Sequence, residues 1–199
     1  MTPQGQSSDD AALARRAAQG DERAFAELVS RHKEPLYRLM RRYTGDPDQA
    51  YEASHEAFIA VWRSLDRFDP KRSFVAWLRT IAFNKARDLA RKRAVQRFLL
   101  GSDALEESAL SAVDPTDDAE AQLIRRQQVA ALDRAVARLP ARLKEDLILT
   151  AFDGCSQKQA GDILGVSEKT IETRVYRARK LLAAALASPT AKPRAKSGA

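Results

Sequence analysis

One stretch near the carboxyl end decides the fold: Ser156-Gln-Lys-Gln-Ala160-Gly161-Asp-Ile-Leu164-Gly165-Val166-Ser167-Glu-Lys-Thr170-Ile171-Glu-Thr-Arg174-Val175. Its pattern predicts two helices joined by a tight turn at Gly165, where glycine permits an unusual backbone conformation. Gly161 lies where the two helices must approach closely, and Ser167 can cap the second helix by accepting from a backbone amide. These features are typical of a helix-turn-helix.

The second helix of this motif has an apolar side and a polar side. Ile171, Val175, Ala178 and Leu182 are spaced to face inward. The polar and charged residues predicted to contact DNA are Ser167, Lys169, Thr170, Glu172, Thr173, Arg174, Arg177 and Lys180. Such a polar face suits entry into a major groove. The alternative interpretation is an ordinary amphipathic hairpin with a solvated face.

Charge is segregated along the 199 residues. The chain has 34 Lys and Arg against 27 Asp and Glu, a formal net charge of +7, which favours a polyanionic partner, nucleic acid first and a membrane surface second. Residues 71–97 hold nine bases and one acid, residues 98–120 hold seven acids and no base, and bases return in residues 168–180. The acidic stretch contains Gly101 and Pro115 and lacks periodicity, so we expect a flexible linker.

Several classes of protein are excluded by simple counts. No apolar run is long enough to span a membrane, and the first residues lack the basic and apolar segments of a secretory signal. Cys155 is the single cysteine, so neither an internal disulfide nor a multi-thiolate metal site is expected. We expect a cytoplasmic protein with no membrane insertion, no cofactor and no metal.

Helical spacing dominates on both sides of the linker, so we expect an all-α chain of two small helical domains. Four helices are predicted before the linker, at about 8–18, 22–43, 47–65 and 74–97, and four after it, at about 119–139, 141–152, 157–164 and 168–186. The predicted units are a disordered start (1–8), a first domain (9–97), the acidic linker (98–120), a second domain (121–186) and a disordered basic tail (187–199).

Aromatic residues are interleaved with bases in the first domain. Phe68, Phe74, Trp77 and Phe83 lie in or beside the basic stretch. Rings that stack on bases and cations that follow a backbone suit single-stranded DNA. The alternative is that these rings belong to the core.

Three further stretches make the chain similar to a known family. They are Gly20-Asp-Glu-Arg-Ala-Phe25-Ala-Glu-Leu28-Val, then Gly45-Asp-Pro-Asp-Gln-Ala-Tyr-Glu52-Ala-Ser-His-Glu56-Ala-Phe58 followed by Trp62, and Phe74-Val-Ala-Trp77-Leu-Arg-Thr-Ile-Ala-Phe-Asn84-Lys-Ala-Arg87-Asp88. Together with the helix-turn-helix, in this order, they resemble regions two and four of the extracytoplasmic-function (ECF) sigma factors of bacterial RNA polymerase. Tyr51, Ala53, Ser54, His55 and Glu172 depart from the residues usual in that family.

The resemblance implies partners and roles. The partners would be promoter DNA, an anti-sigma factor and core RNA polymerase, bound at the clamp helices of its largest subunit and the flap of the second largest. The residues implied to face the clamp helices are Asp48, Glu52, Glu56, Phe58 and Trp62. The loop 66–74 would hold a flipped base of the non-template strand. The residues implied to bind the minus-ten element are Arg72, Ser73, Phe74, Trp77, Asn84, Lys85, Arg87 and Arg91, while the helix-turn-helix would bind the minus-thirty-five element.

By the same resemblance the acidic linker would thread through polymerase channels that carry nucleic acid. The chain is therefore predicted to be a sigma factor that has no catalytic residues of its own. Two rival functions remain open. A stand-alone dimeric helix-turn-helix regulator would need a ligand pocket or a dimerisation helix. A helical metalloenzyme would need more metal-ligating pairs than Glu52 with His55.

Overall fold

The computed structural model describes residues 4–100 and 119–187, and every regular element in those ranges is helical. The all-α prediction is confirmed. Residues 101–118, which hold most of the predicted linker, and residues 188–199, which hold the predicted tail, lie outside the described residues.

The first half consists of α1 (Gln4–Ala18), α2 (Glu22–Thr44), α3 (Pro47–Arg63), a 3-10 turn (Leu65–Arg67) and α4 (Phe74–Leu100). The predicted boundaries follow from local chemistry. Asp21 caps α2 by accepting from the amide of Ala24 at 3.1 Å, and Asp46 caps α3 by accepting from Gln49 at 2.8 Å. Pro47 occupies the first turn of α3, where its missing amide hydrogen costs nothing.

The second half consists of α5 (Ala119–Ala137), α6 (Ala141–Leu147) with a π-helical turn (Ile148–Phe152), α7 (Gln157–Leu164) and α8 (Glu168–Ala187). Ser156 and Gln159 form a reciprocal capping box at the start of α7. The expected continuous helix over 141–152 changes to wider π-helical hydrogen bonding after Leu147.

α1 begins at Gln4, within the segment 1–8 that was expected to be disordered. Asp9 and Asp10 therefore lie inside the helix and do not cap it. Their carboxylates bind α2 instead: Asp9 pairs with Arg31 at 2.5 Å, and Asp10 contacts His32 at 2.8 Å. Both carboxylates therefore make tertiary contacts with α2.

One cluster of buried apolar side chains runs through both halves. Leu28, Met40, Phe74 and Phe83 are among the largest in the first half, and Ile148, Leu149 and Ile171 in the second. The halves meet where α2 packs on α5 and where α4 packs on α7. The helix-turn-helix is thereby placed beside the basic helix α4.

Candidate nucleic-acid interface

The helix-turn-helix is held by the three residues that the sequence singles out, Gly161, Gly165 and Ser167. A Cβ atom added to Gly161 would lie 2.7 Å from the carbonyl oxygen of Val166, so only glycine fits at this approach. Ser167 accepts from the amide of Thr170 at 3.2 Å and caps α8. Gly165 has a φ of +69°, the left-handed conformation expected of the turn.

The two sides of α8 separate as the spacing predicts. Ile171, Val175, Ala178 and Leu182 are buried. The exposed residues from the predicted set are Ser167, Lys169, Glu172, Thr173, Arg177 and Lys180, with Thr170 half-buried. Lys169 donates to Glu172 at 2.8 Å, so these two side chains hold each other on the surface. Tyr176, which sequence reasoning missed, is 70% exposed on the same helix.

Arg174 differs from the rest of the predicted DNA-facing set. Its guanidinium points to Asp146 of α6, with 3.7 Å between Nη1 and Oδ2. The Asp146 side chain is fully buried, and its two oxygens have no hydrogen-bond partner among the described residues. Burial raises the pKa of Asp146 to about 6, and the nearby Arg174 charge opposes that rise. In this arrangement Arg174 joins α8 to α6.

The basic helix α4 presents one exposed stripe. Trp77, Asn84 and Arg91 are spaced seven residues apart and therefore lie on the same side of the helix. Asn84 and Arg91 are exposed, and Trp77 is half-buried. Arg72 and Ser73 are exposed in the loop just before α4. A ring, an amide and a cation thus lie on one side of α4, and a second exposed cation lies in the loop before it.

Phe74, predicted to contact DNA, has a buried ring that is 1% exposed. It lies 5.7 Å, centroid to centroid, from Phe68 in an edge contact and 6.1 Å from Trp77. Apolar burial explains the difference, since this first residue of α4 faces the core. Phe74 therefore packs beneath the loop 66–74, and the exposed surface there includes Arg72 and Ser73.

Three predicted DNA-facing cations, Lys85, Arg87 and Arg91, lie near carboxylates. Lys85 lies 3.8 Å from Glu56 of α3, and Arg91 lies 3.8 Å from Asp88 of its own helix. Arg93, outside the predicted set, pairs with Glu52 of α3. Arg87 donates to Asn84 at 2.5 Å, and its Nε lies 3.4 Å from Glu145 of α6. The stripe on α4 is therefore flanked by ion pairs to α3 on one side and to α6 on the other.

The exposed side of α3 brings together the residues predicted to bind the clamp. Asp48 is exposed at the first turn, and Trp62 packs on Phe25 with 4.8 Å between ring centroids. Phe58 is partly buried. Tyr51 and His55, which had been noted only as departures, stack on each other on the same side, and Tyr51 is 68% exposed. Tyr51 and His55 follow Asp48 by three and seven residues and are four residues apart, which is the sequence signal that could have identified them.

Comparison with known proteins assigns both halves. The family model described as Sigma-70 region 2 matches residues 28–95, and the one described as Sigma-70, region 4 matches residues 130–182. The RNA polymerase sigma factor NccH of Alcaligenes xylosoxydans xylosoxydans is 40% identical over 181 residues, which cover 91% of this chain and 96% of NccH. The chain belongs to the ECF sigma factors of the sigma-70 family.

Two further relatives agree with this assignment. The ECF RNA polymerase sigma factor SigW of Bacillus subtilis is 29% identical, over 82% of this sigma factor and 89% of SigW. The solved structure of CnrH in complex with the cytosolic domain of CnrY superposes with a TM-score of 0.65 at 33% identity, covering 89% of this chain and 97% of that one. α2 to α4 thus belong to region 2, and α6 to α8 to region 4.

Regions 2 and 4 of this sigma factor are joined by polar contacts that are largely buried. The Tyr43 hydroxyl donates to Glu145 at 3.2 Å, and Lys144 donates to the Tyr43 carbonyl at 3.1 Å. Thr80 of α4 donates to the Ile163 carbonyl at 2.8 Å. Burial raises the pKa of Glu145 and of Tyr43 and lowers the pKa of Lys144. The ionisable groups of Tyr43, Lys144 and Glu145 are therefore at least partly shielded from solvent by the packing of the two regions.

A second group of contacts surrounds the π-helical turn. Arg79 of region 2 pairs with Asp153 at 2.5 Å and donates to the Cys155 sulfur at 3.4 Å. Arg42 stacks over the Phe152 ring at 4.2 Å. Burial raises the pKa of the Asp153 carboxyl and of the Cys155 thiol. Two arginines of region 2, Arg79 and Arg42, are therefore bound by side chains of region 4, Arg79 by the Asp153 carboxylate and Arg42 by the Phe152 ring.

Within residues 4–100 and 119–187 there is no cluster of three or more His, Cys, Asp or Glu side chains that could hold a metal ion. Over the same ranges, no helix combines the length and the apolar character needed to span a membrane.

Proposed function

We propose that this sigma factor binds core RNA polymerase and directs it to promoters that carry a minus-thirty-five and a minus-ten element, where it promotes strand separation. The observation that carries the proposal is the stripe of α4 on which half-buried Trp77 and exposed Asn84 and Arg91 lie together. The chain contributes selectivity and no catalytic step of its own. It acts in the cytoplasm, where polymerase and chromosome are found.

At the minus-ten element, the α4 stripe and the loop 66–74 capture the non-template strand. Extruding one base costs a few kcal/mol in lost stacking. Stacking of a base on a ring such as Trp77 contributes about 1–3 kcal/mol. The cost of extrusion and the gain from stacking nearly balance. Phosphate contacts from Arg72 and Arg91, both exposed, therefore supply the remaining binding free energy.

At the minus-thirty-five element, α8 enters the major groove. Arg177 is exposed and forms no ion pair with any described residue, so its guanidinium is available for a base edge or a phosphate. Glu172 can accept from a cytosine amino group, with Lys169 beside it at 2.8 Å. Lys169, Thr170, Thr173 and Lys180 complete the contact surface.

Core polymerase binds the exposed side of α3. Phe58 and Trp62 offer apolar area, while Asp48, Glu52 and Glu56 offer negative charge. We place the clamp helices of the largest subunit on this side, with Tyr51 and His55 as additional contacts, and the flap of the second-largest subunit on region 4. The aromatic residues are the expected anchors, since such residues dominate binding energy at interfaces.

An anti-sigma factor controls the chain in this proposal. The support is the CnrH structure, in which a sigma factor of the same fold is bound to the cytosolic domain of CnrY. The packing of region 4 on region 2 fits such control. Arg79 and Arg87 pair with Asp153 and Glu145 of region 4, so separation of the two regions would release both guanidinium groups for DNA.

Run-off transcription tests the proposal. The purified chain is added to core polymerase on a pool of genomic fragments, and transcripts with discrete, chain-dependent starts are expected. No such transcript from any fragment would refute the proposal. Tight and specific binding to duplex promoter DNA without polymerase would favour a stand-alone regulator instead.

Arg177→Ala tests the placement of α8. We expect it to weaken binding of the chain, assembled with core polymerase, to a duplex that carries the minus-thirty-five element by about 1–3 kcal/mol, the usual worth of one good base contact, while binding to core polymerase is unchanged. Arg134→Ala, which removes an exposed arginine from α5, is the matched control. Wild-type affinity of Arg177→Ala for the duplex, measured by fluorescence anisotropy, would contradict this placement.

A further inference from the structure

A buried carboxylate on α1 reaches the base of the loop 66–74. Asp10 is 2% exposed, although it is charged and lies near the start of the chain. Its Oδ2 lies 2.8 Å from Nε2 of His32, and its Oδ1 accepts from Arg31 at 3.3 Å. Both partners are on α2. A carboxylate withdrawn from water is tolerated only with such partners.

His32 also contacts a cluster of aromatic rings formed by Phe68, Phe74 and Trp77. The His32 side chain is largely buried, and its ring centroid lies 5.6 Å from that of Phe74. Phe74 in turn meets Phe68 and Trp77, whose centroids are 5.1 Å apart. The chain of contacts therefore runs from Asp10 through His32 to three rings that lie around the loop.

The loop itself is exposed above this support. α1 packs on the 3-10 turn Leu65–Arg67 and on α4, at the two ends of the loop. Residues 69–73 are exposed, and the loop is shaped by Asp69, which accepts from the amide of Lys71 at 2.9 Å. Phe68 and Phe74, at its two ends, are both buried. The positions of these two rings therefore set the shape of the loop between them.

We infer that Asp10 and His32 are positioning residues for the minus-ten base pocket. The Asp10 carboxylate fixes the plane of the His32 ring, and the ring fixes Phe74, so that the loop 66–74 and Trp77 are held ready for a flipped base. The inference rests on the proposed function and adds α1 to the machinery of strand capture. Neither residue touches DNA.

The chemistry of the pair favours positioning over simple packing. A buried carboxyl group and imidazole gain little stability compared with apolar side chains of the same volume, because both polar groups must be desolvated. Its advantage is directional, since a hydrogen bond fixes one ring nitrogen and one orientation. Phe74 and Trp77 need that directionality if the pocket is to accept a base without rearranging.

Abasic scanning of a promoter separates positioning from stability. The holoenzyme binds a fork-junction DNA whose minus-ten non-template segment is single-stranded, and each base of that segment is removed in turn. With wild-type chain, one position should show the largest loss, roughly tenfold, as expected for a stacked and captured base. Each loss is a ratio within one preparation, so a partly folded variant does not alter it.

Asp10→Asn and His32→Gln are the test variants. The asparagine keeps the shape of Asp10 without its charge, and the glutamine keeps a donor for Asp10 but lacks the ring. In both we expect the loss at the captured position to shrink to about threefold or less, since the pocket no longer holds that base well. Asp9→Asn is the matched control, because it makes the same change on the same helix at an exposed ion pair.

Unchanged abasic profiles in both variants, or an equal change in Asp9→Asn, would overturn the inference while leaving the proposed function intact. If the wild-type holoenzyme itself makes no promoter-dependent transcript, the proposed function fails and this inference fails with it.

Discussion

Asp146 is a single residue whose charge state is linked to stability. Its pKa of about 6 in the folded chain exceeds the usual value of about 3.9. Between these pH values the folded chain binds more protons than the unfolded chain, so the free energy of unfolding falls as pH rises from about 4 to about 6. We expect Asp146→Asn to flatten this dependence by about 1–3 kcal/mol, measured by urea unfolding at pH 4.5 and pH 7.

Asp162→Asn is the control for that experiment, because it changes an exposed carboxylate of α7 in the same way. Some dependence of the same sign should remain in Asp146→Asn, since burial also raises the pKa of Glu145 and of Asp153. If the free energy of unfolding changes equally with pH in wild type and in Asp146→Asn, this carboxylate does not titrate between these pH values.

At the scale of the element, the helix-turn-helix depends on one close approach. Gly161→Ala places a Cβ 2.7 Å from the Val166 carbonyl oxygen, and a backbone atom cannot move away cheaply. We expect a loss of about 1–3 kcal/mol in the free energy of unfolding, the usual cost of overpacking. Minus-thirty-five binding should weaken as well. Thermal unfolding and duplex binding measure the two effects.

Lys158→Ala is the matched control on α7, since its exposed side chain can be shortened at little cost. Equal stability of Gly161→Ala and wild type would mean that the turn can shift to accept a methyl group.

This motif was predictable because its information is local. The spacing of Gly161, Ser167 and the buried side of α8 falls within some twenty-five residues, and the structure confirms each of them. The inward direction of Arg174 was not predictable, because its partner Asp146 lies on another helix. The contact between Asp10 and His32 was not predictable for the same reason, because the two residues are 22 positions apart and on different helices.

At the scale of the whole molecule, the packing of region 4 on region 2 rests partly on charge. Asp153→Arg replaces the carboxylate that pairs with Arg79 by a second cation, which repels Arg79. This change should favour separation of the regions by on the order of 3 kcal/mol, the cost typical of breaking a buried pair. The radius of gyration from small-angle scattering should then increase. The charge-swapped double variant, Arg79→Asp with Asp153→Arg, should restore compactness.

Asp162→Arg adds the same charge at an exposed site of α7 and should leave the radius of gyration unchanged. A wild-type radius for Asp153→Arg would show that apolar contacts alone hold the regions together. No sequence pattern predicted this packing, since Tyr43 and Glu145 are separated by 102 positions and carry no shared motif.

The ion pairs between α3 and α4 have a thermodynamic consequence. Glu52 and Glu56 pair with Arg93 and Lys85, so two carboxylates of the helix proposed to bind polymerase restrain cations of the helix proposed to bind DNA. A ligand of α3 that draws these carboxylates away frees two positive charges on α4. Coupling free energy is reciprocal. DNA that binds those two cations must therefore raise the affinity of the α3 ligand by the same factor by which that ligand raises the affinity for DNA.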